Sequence, residues 1–174
     1  MRTVHRFLAV IAIIGCRGDQ EAKQGVAPGS NQVRSPDDPG ALVAEYVRRD
    51  GLGEFQGPSA WLDSHTTFQS LGWDQGVVMV SSEISGSELR EDSATVRVTY
   101  EWLAVIGGDD RGNPRVVPRD SIEVVTFELI KGDGTWRIAG PDLAPHVDVR
   151  TVLQNPRLTP NQRRDLQEAV RSRP

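Results

Sequence analysis

Apolar and polar residues fall into distinct textures along this chain, and each texture predicts an element. Phe7-Leu8-Ala9-Val10-Ile11-Ala12-Ile13-Ile14 is an unbroken apolar run, whereas residues 17–37 mix Gly, Pro, Ser, Gln and charges without an apolar period. A stretch of that second kind cannot bury enough surface to offset its ordering entropy. It reads as a flexible tether with a reach of roughly 25 Å. The pattern turns helical at Asp38-Pro39, an N-cap followed by proline at the first helical position. Leu42, Val43, Tyr46 and Val47 recur at helical spacing, while Glu45, Arg48 and Arg49 face elsewhere and Glu45–Arg49 forms an i,i+4 pair. Gly51 fits the left-handed position that ends such a helix, with Leu52 as the apolar contact beyond it. Pro58-Ser59-Ala60-Trp61-Leu62 to about Phe68 predicts a second, shorter helix.

From Gly76 the period changes to two. Val77-Val78-Met79-Val80 is a short apolar strand ending in Ser81-Ser82. Between Ala94 and Val105, residues Val96, Val98, Tyr100 and Trp102 share one face, with Arg97, Thr99 and Glu101 on the other. Ser121 to Lys131 is another long strand, with Val125, Phe127 and Leu129 facing one way and Val124, Thr126, Glu128 and Ile130 the other. Lys131-Gly132-Asp133-Gly134 is a strong hairpin turn, after which Thr135-Trp136-Arg137-Ile138 returns antiparallel. Residues 107–120 read as a long polar connection. Thr159-Pro160-Asn161-Gln162 is a capping box that opens a helix to about Arg171, whose thin stripe of Leu166, Ala169 and Val170 predicts light docking.

The first apolar run has its own meaning. Arg2, His5 and Arg6 precede it, and its eight residues would span roughly 12 Å as a helix, far short of a ~30 Å hydrocarbon core. It reads as a signal peptide over residues 1–15. Its end, Ile13-Ile14-Gly15-Cys16, resembles the lipobox of bacterial lipoproteins. That resemblance implies cleavage before Cys16 and lipidation of Cys16, including a diacylglyceryl group on sulfur. Each buried methylene adds about 0.8 kcal/mol, so two or more chains anchor a soluble domain stably. The implied address is the cell envelope. Arg17, standing where an aspartate would retain the protein at the inner membrane of enteric bacteria, slightly favours the outer membrane.

Composition narrows the function classes. Cys16 is the one cysteine, so internal disulfides and thiolate metal clusters are ruled out. A chain starting at Cys16 holds 18 basic and 24 acidic residues; residues 16–142 carry −9 and residues 143–174 carry +3. Such a body offers no basic groove for nucleic acid.

Two helices followed by lengthening antiparallel strands resemble the NTF2-like (cystatin-like α+β) superfamily. The tracts Asp92–Tyr100 and Glu128–Ile138, the latter ending Gly134-Thr135-Trp136-Arg137-Ile138, look like its closing strands. The resemblance implies an α+β cone, in which N-terminal helices cover a curved antiparallel sheet. It divides the chain into a signal peptide (1–15), a lipidated cysteine and tether (16–37), the body (38–154), and a C-terminal helix with a basic tail (155–174). An all-β lipocalin-like barrel is the alternative, against which the count of four strong strands argues.

Within that family some members bind hydrophobic small molecules, some use an acid or histidine pair for isomerisation or dehydration, and some serve as binding or dimerising modules, so a site must be argued from residues. Asp63 and His65 lie in the short second helix, where they could overlook the mouth of the cone. The simpler reading of His65 is a partly exposed helix-end residue. His146, just past the last strong strand, reads as a turn residue. Glu128 would be a buried acid if its face lined the cone and a solvated one if that face is outer, the commoner case. Tyr100 and Trp102 could line an apolar pocket, although such a pair is more often core. Nucleophile, metal and phosphate-loop templates are missing, and Gly107-Gly108-Asp109-Asp110 departs from the calcium-loop pattern. The expectation is therefore an envelope lipoprotein, membrane-bound through Cys16, with a non-catalytic domain that uses no cofactor or metal. It would bind a hydrophobic small molecule or an envelope protein. The competing expectations are an acid/histidine enzyme and a homodimeric scaffold.

Overall fold

The computed structural model describes residues 37–55, 57–68, 74–108 and 113–173, all within one compact unit. The signal peptide, Cys16 and all of the tether before Asp37 lie outside the described residues.

Helix α1 spans Pro39–Gly51, and the Asp38 carboxylate accepts the Gly40 N–H at 2.8 Å as its N-cap. Arg48 and Arg49 both bond Glu45, at 2.8 and 2.7 Å, and hold its carboxyl down at about 2. The left-handed residue after the helix is Gly53 (φ 74°), not Gly51. Gly51 remains helical and packs closely on β1, where a Cβ would push aside the flexible Met79 methyl 2.8 Å away. Helix α2 spans Ala60–His65, with Ser59 as N-cap and Leu62 buried.

The strands are longer than apolar runs alone suggested. β1 covers Gln75–Leu89, β2 Ser93–Gly108, β3 Pro114–Gly132 and β4 Thr135–Gly140. Most of the expected connection over residues 107–120 is strand, because β3 pairs with β2 as far as Gly108↔Pro114. Backbone pairing sustains a strand through polar residues such as Arg115, Arg119 and Asp120. The β3–β4 turn is the expected hairpin, with Asp133 (φ 51°) and Gly134 (φ 78°) both left-handed.

A fifth strand, β5 (His146–Asp148), joins β1 in parallel at Val77–Met79, so the sheet is mixed and not purely antiparallel. Its order is β4-β3-β2-β1-β5, a curled half-barrel. With β4 and β5 at opposite edges, these five strands do not close into a lipocalin-like barrel. The architecture is α+β.

The inner face carries the main core. Val96, Val98, Tyr100 and Phe127 are fully buried there beneath Val43, Tyr46 and Leu62 of the helices. Tyr46 meets Phe127 edge-on at 5.3 Å. Alternation turns Leu103 to the opposite face, and a register shift between Trp102 and Ala104 brings Ala104 there as well, so both serve a second core. There Val78, Leu103 and Val147 pack against α3 (Val149–Leu153) and α4 (Pro160–Arg171). The Thr159–Gln162 capping box forms reciprocally, and α4 docks through Leu166 with Ala169 and Val170 half-buried, as its thin stripe predicts.

Candidate functional site

Two features stand out: an open cleft and a buried polar cluster directly behind it. The cleft holds about 560 Å³ between α1, β1 and α3. Val47, Met79, Ile84 and Val98 give it an apolar floor, and Arg48, Glu83 and Arg150 stand at its rim. Its inner end is built from Gly51 and Leu52, which finish α1, and from Asp148, which finishes β5. Leu52 is half-exposed to it (51%).

The cluster is centred on His146. Asp50, in the last turn of α1, accepts the His146 backbone N–H through Oδ2 at 2.9 Å, while its Oδ1 has no partner. The His146 ring lies between two acids, with Nδ1 3.9 Å from Asp50 Oδ2 and Nε2 3.8 Å from Glu123 Oε2. Both distances exceed hydrogen-bond reach, and neither ring nitrogen has a partner. Tyr100 packs on the ring at 4.4 Å, its own hydroxyl unpartnered. Asp50 and His146 expose only 2% and 4% of their side chains, whereas Glu123 exposes 43% and connects the cluster to solvent.

Burial sets the protonation of these groups. It pushes Asp50 up to about 7, opposed by the His146 N–H bond. It pushes the His146 imidazole down, opposed by the nearby Glu123 carboxylate. The Tyr46 and Tyr100 hydroxyls are pushed up by burial and then by Asp50, and stay protonated.

The residues singled out from sequence are placed elsewhere. His65 stacks on Trp61 at 4.4 Å, and its Nδ1 lies 2.9 Å from the Trp61 carbonyl oxygen. That oxygen only accepts, so Nδ1 carries the proton and the ring serves helix α2. Asp63 is exposed, and its backbone carbonyl accepts a bond from Arg137. Glu128 is exposed on the outer face of β3. Asp63 and His65 share helix α2, and among the described residues neither side chain bonds Glu128: His65 bonds within α2 and Asp63 contributes its backbone carbonyl. Tyr100 and Trp102 belong to the inner core and neither lines the cleft. His146 is no turn residue: it is buried in β5, held there by Asp50.

Asp50 and Glu123 were legible signals that a search for motifs passes over. Asp50 follows Val43, Tyr46 and Val47 on the buried stripe of α1, and Glu123 continues the inward alternation of Val125, Phe127 and Leu129. An acid on an apolar face is the informative exception.

No family model and no curated protein matches the chain. Among solved structures it is similar to a SEC-C motif containing protein from Rhodopseudomonas palustris, known as a solution structure. The two share 16% identity, over 62% of this chain and 79% of that one, with a TM-score of 0.44.

Among the described residues no group of three His, Cys, Asp or Glu side chains is placed to hold a metal ion, and no helix is long and apolar enough to cross a membrane. The outer face of β3 exposes Ile122 (70%), Val124 (58%) and Ile130 (47%).

Proposed function

We propose that this chain is a cell-envelope lipoprotein, anchored through lipidated Cys16, whose NTF2-like body binds an apolar small molecule without catalysing a reaction on it. One observation carries the binding reading: the cleft of about 560 Å³ with its apolar floor. That volume lies within the range of small-molecule sites, roughly 300–1,000 Å³. An apolar ligand would gain about 25 cal/mol for each Å² it removes from water against Val47, Met79, Ile84 and Val98. The filled inner core speaks against chemistry in the cone itself, because Tyr100 and Phe127 occupy the space a substrate would need. The NTF2-like assignment is supported by element order, two helices and then long antiparallel strands with the helices over the inner face. The anchor is supported by the basic start, the short apolar run and the Ile13–Cys16 box in register.

The binding test is a fluorescence titration of the full-length chain with an environment-sensitive fatty-acid probe. Ala44 borders the cleft without being fully buried. Ala44→Trp is expected to fill the space and weaken the probe at least about tenfold, a loss of about 1.4 kcal/mol, with the thermal midpoint unchanged. Equal affinity for wild type and variant refutes the cleft as the site.

A second reading, a homodimeric scaffold, is favoured by exposed Ile122 and Val124 side by side on the outer face of β3.

A further inference from the structure

We propose that Asp50, His146 and Glu123 form a proton-operated latch between the C-terminal turn of α1 and strand β5, so that one proton sets how tightly the inner end of the cleft is held. The proposal rests on the cleft reading above and adds its regulation. Its basis is position and unmet hydrogen bonding. Asp50 is followed immediately by Gly51 and Leu52, and His146 by Val147 and Asp148, so the Asp50–His146 bond joins the two segments that form the inner end. Gly51 lies against Met79, which is the β1 partner of Asp148, so separating α1 from β5 would open that end directly.

Three buried polar atoms beside this bond lack partners: Asp50 Oδ1, His146 Nδ1 and His146 Nε2. Buried groups in that state carry a desolvation cost of about 1–3 kcal/mol each. The cost depends on the proton. With Asp50 protonated and His146 neutral, no charge is buried and the α1–β5 contact stays closed. Loss of the Asp50 proton leaves a carboxylate held by a single N–H and facing a neutral imidazole. Water can then satisfy Oδ1 only if the last turn of α1 moves off β5.

The groups facing His146 among the described residues are Asp50 from α1, Glu123 from β3 and Tyr100 from β2. Tyr46 adjoins Tyr100, and Asp142 acts on Tyr46 from the segment before β5. The β1 residues paired with β5, Val77 to Met79, carry no titratable group. Among the described residues no Lys or Arg forms an ion pair with Asp50 that would fix it in its charged form. Glu123, half in solvent, provides the path for the proton. With Asp50 pushed up to about 7, its ionised share rises from about a tenth at pH 6 to about nine tenths at pH 8.

The experiment follows the backbone amide resonances of Gly51, Leu52, His146 and Asp148 in the full-length chain from pH 5 to pH 9, with probe binding measured at pH 6 and pH 8. Expected is one shared transition near pH 7, several-fold different probe affinities at the two pH values, and loss of both effects in Asp50→Asn. Asparagine keeps an acceptor for the His146 N–H but does not titrate. Glu123→Gln is expected to lower the pH at which the imidazole protonates. Amides that stay still across this window overturn the latch, as does an Asp50 carboxyl carbon in the wild-type chain titrating in the ordinary carboxylate range. The second measurement needs no variant to fold. Ala44→Trp separates the two readings: it should lose the probe and keep the amide transition. A wild-type chain that binds probe equally at both pH values sinks the latch and leaves the cleft reading standing. One that shows the transition but binds no probe sinks the cleft reading.

Discussion

Replacing Asp50 by asparagine should stabilise the protein, and by an amount that grows with pH. The substitution keeps the side chain's shape and the acceptor for the His146 N–H, so it isolates the charge. Burial raises the Asp50 carboxyl from 3.8 to about 7. A group raised in the folded state stabilises fully below its unfolded value, and that contribution is lost as pH rises through the folded one. Between those limits the wild type loses about 1.4 kcal/mol per pH unit through Asp50, about 4 kcal/mol altogether. His146 works the other way: its imidazole is pushed down, so its contribution is present above 6.5 and lost as pH falls below that value. The two slopes oppose each other in mildly acid solution, and the wild-type profile is flattened there. The His146 effect is present in both proteins and cancels to first order in their difference. Urea unfolding of both proteins at pH 5, 6, 7 and 8, followed by tryptophan fluorescence, measures that difference directly. From pH 5 to pH 7 it should widen by about 2.3 kcal/mol in favour of Asp50→Asn, then level off near pH 8. A difference that stays constant across the four pH values would show that Asp50 ionises in the fold as it does in the unfolded chain, and would refute the reasoning.

Two further outcomes check the anchor and the outer face. Cys16→Ser should move the protein from the membrane fraction to the soluble fraction and abolish incorporation of labelled acyl chains; unchanged partition would exclude lipidation as the attachment. Val124→Lys should leave the unfolding free energy within about 0.5 kcal/mol of wild type, as expected of an exposed position. In sedimentation it should convert a dimer to a monomer, and identical sedimentation of the two proteins removes the scaffold reading.

Features set by neighbouring residues could be read before the fold was known. The Asp38-Pro39 cap, the Asp133-Gly134 turn and the Thr159–Gln162 box each complete their bonding within a few positions, and all three form where the sequence places them. The alternation that sends Val96, Val98 and Tyr100 inward and Val124, Thr126 and Glu128 outward likewise follows from the two-residue period of a strand. Tertiary structure decided what depends on distant partners. β5 is three residues long, too short to carry a period, and exists because β1 and the Asp50 carboxylate take up its backbone groups. The polar start of β3 becomes strand through pairing with β2. Asp50, Tyr100, Glu123 and His146 come from four different elements and look unrelated in the chain. Their ionisation reflects the shared low-dielectric interior into which the fold draws them, and only the packed protein creates that interior.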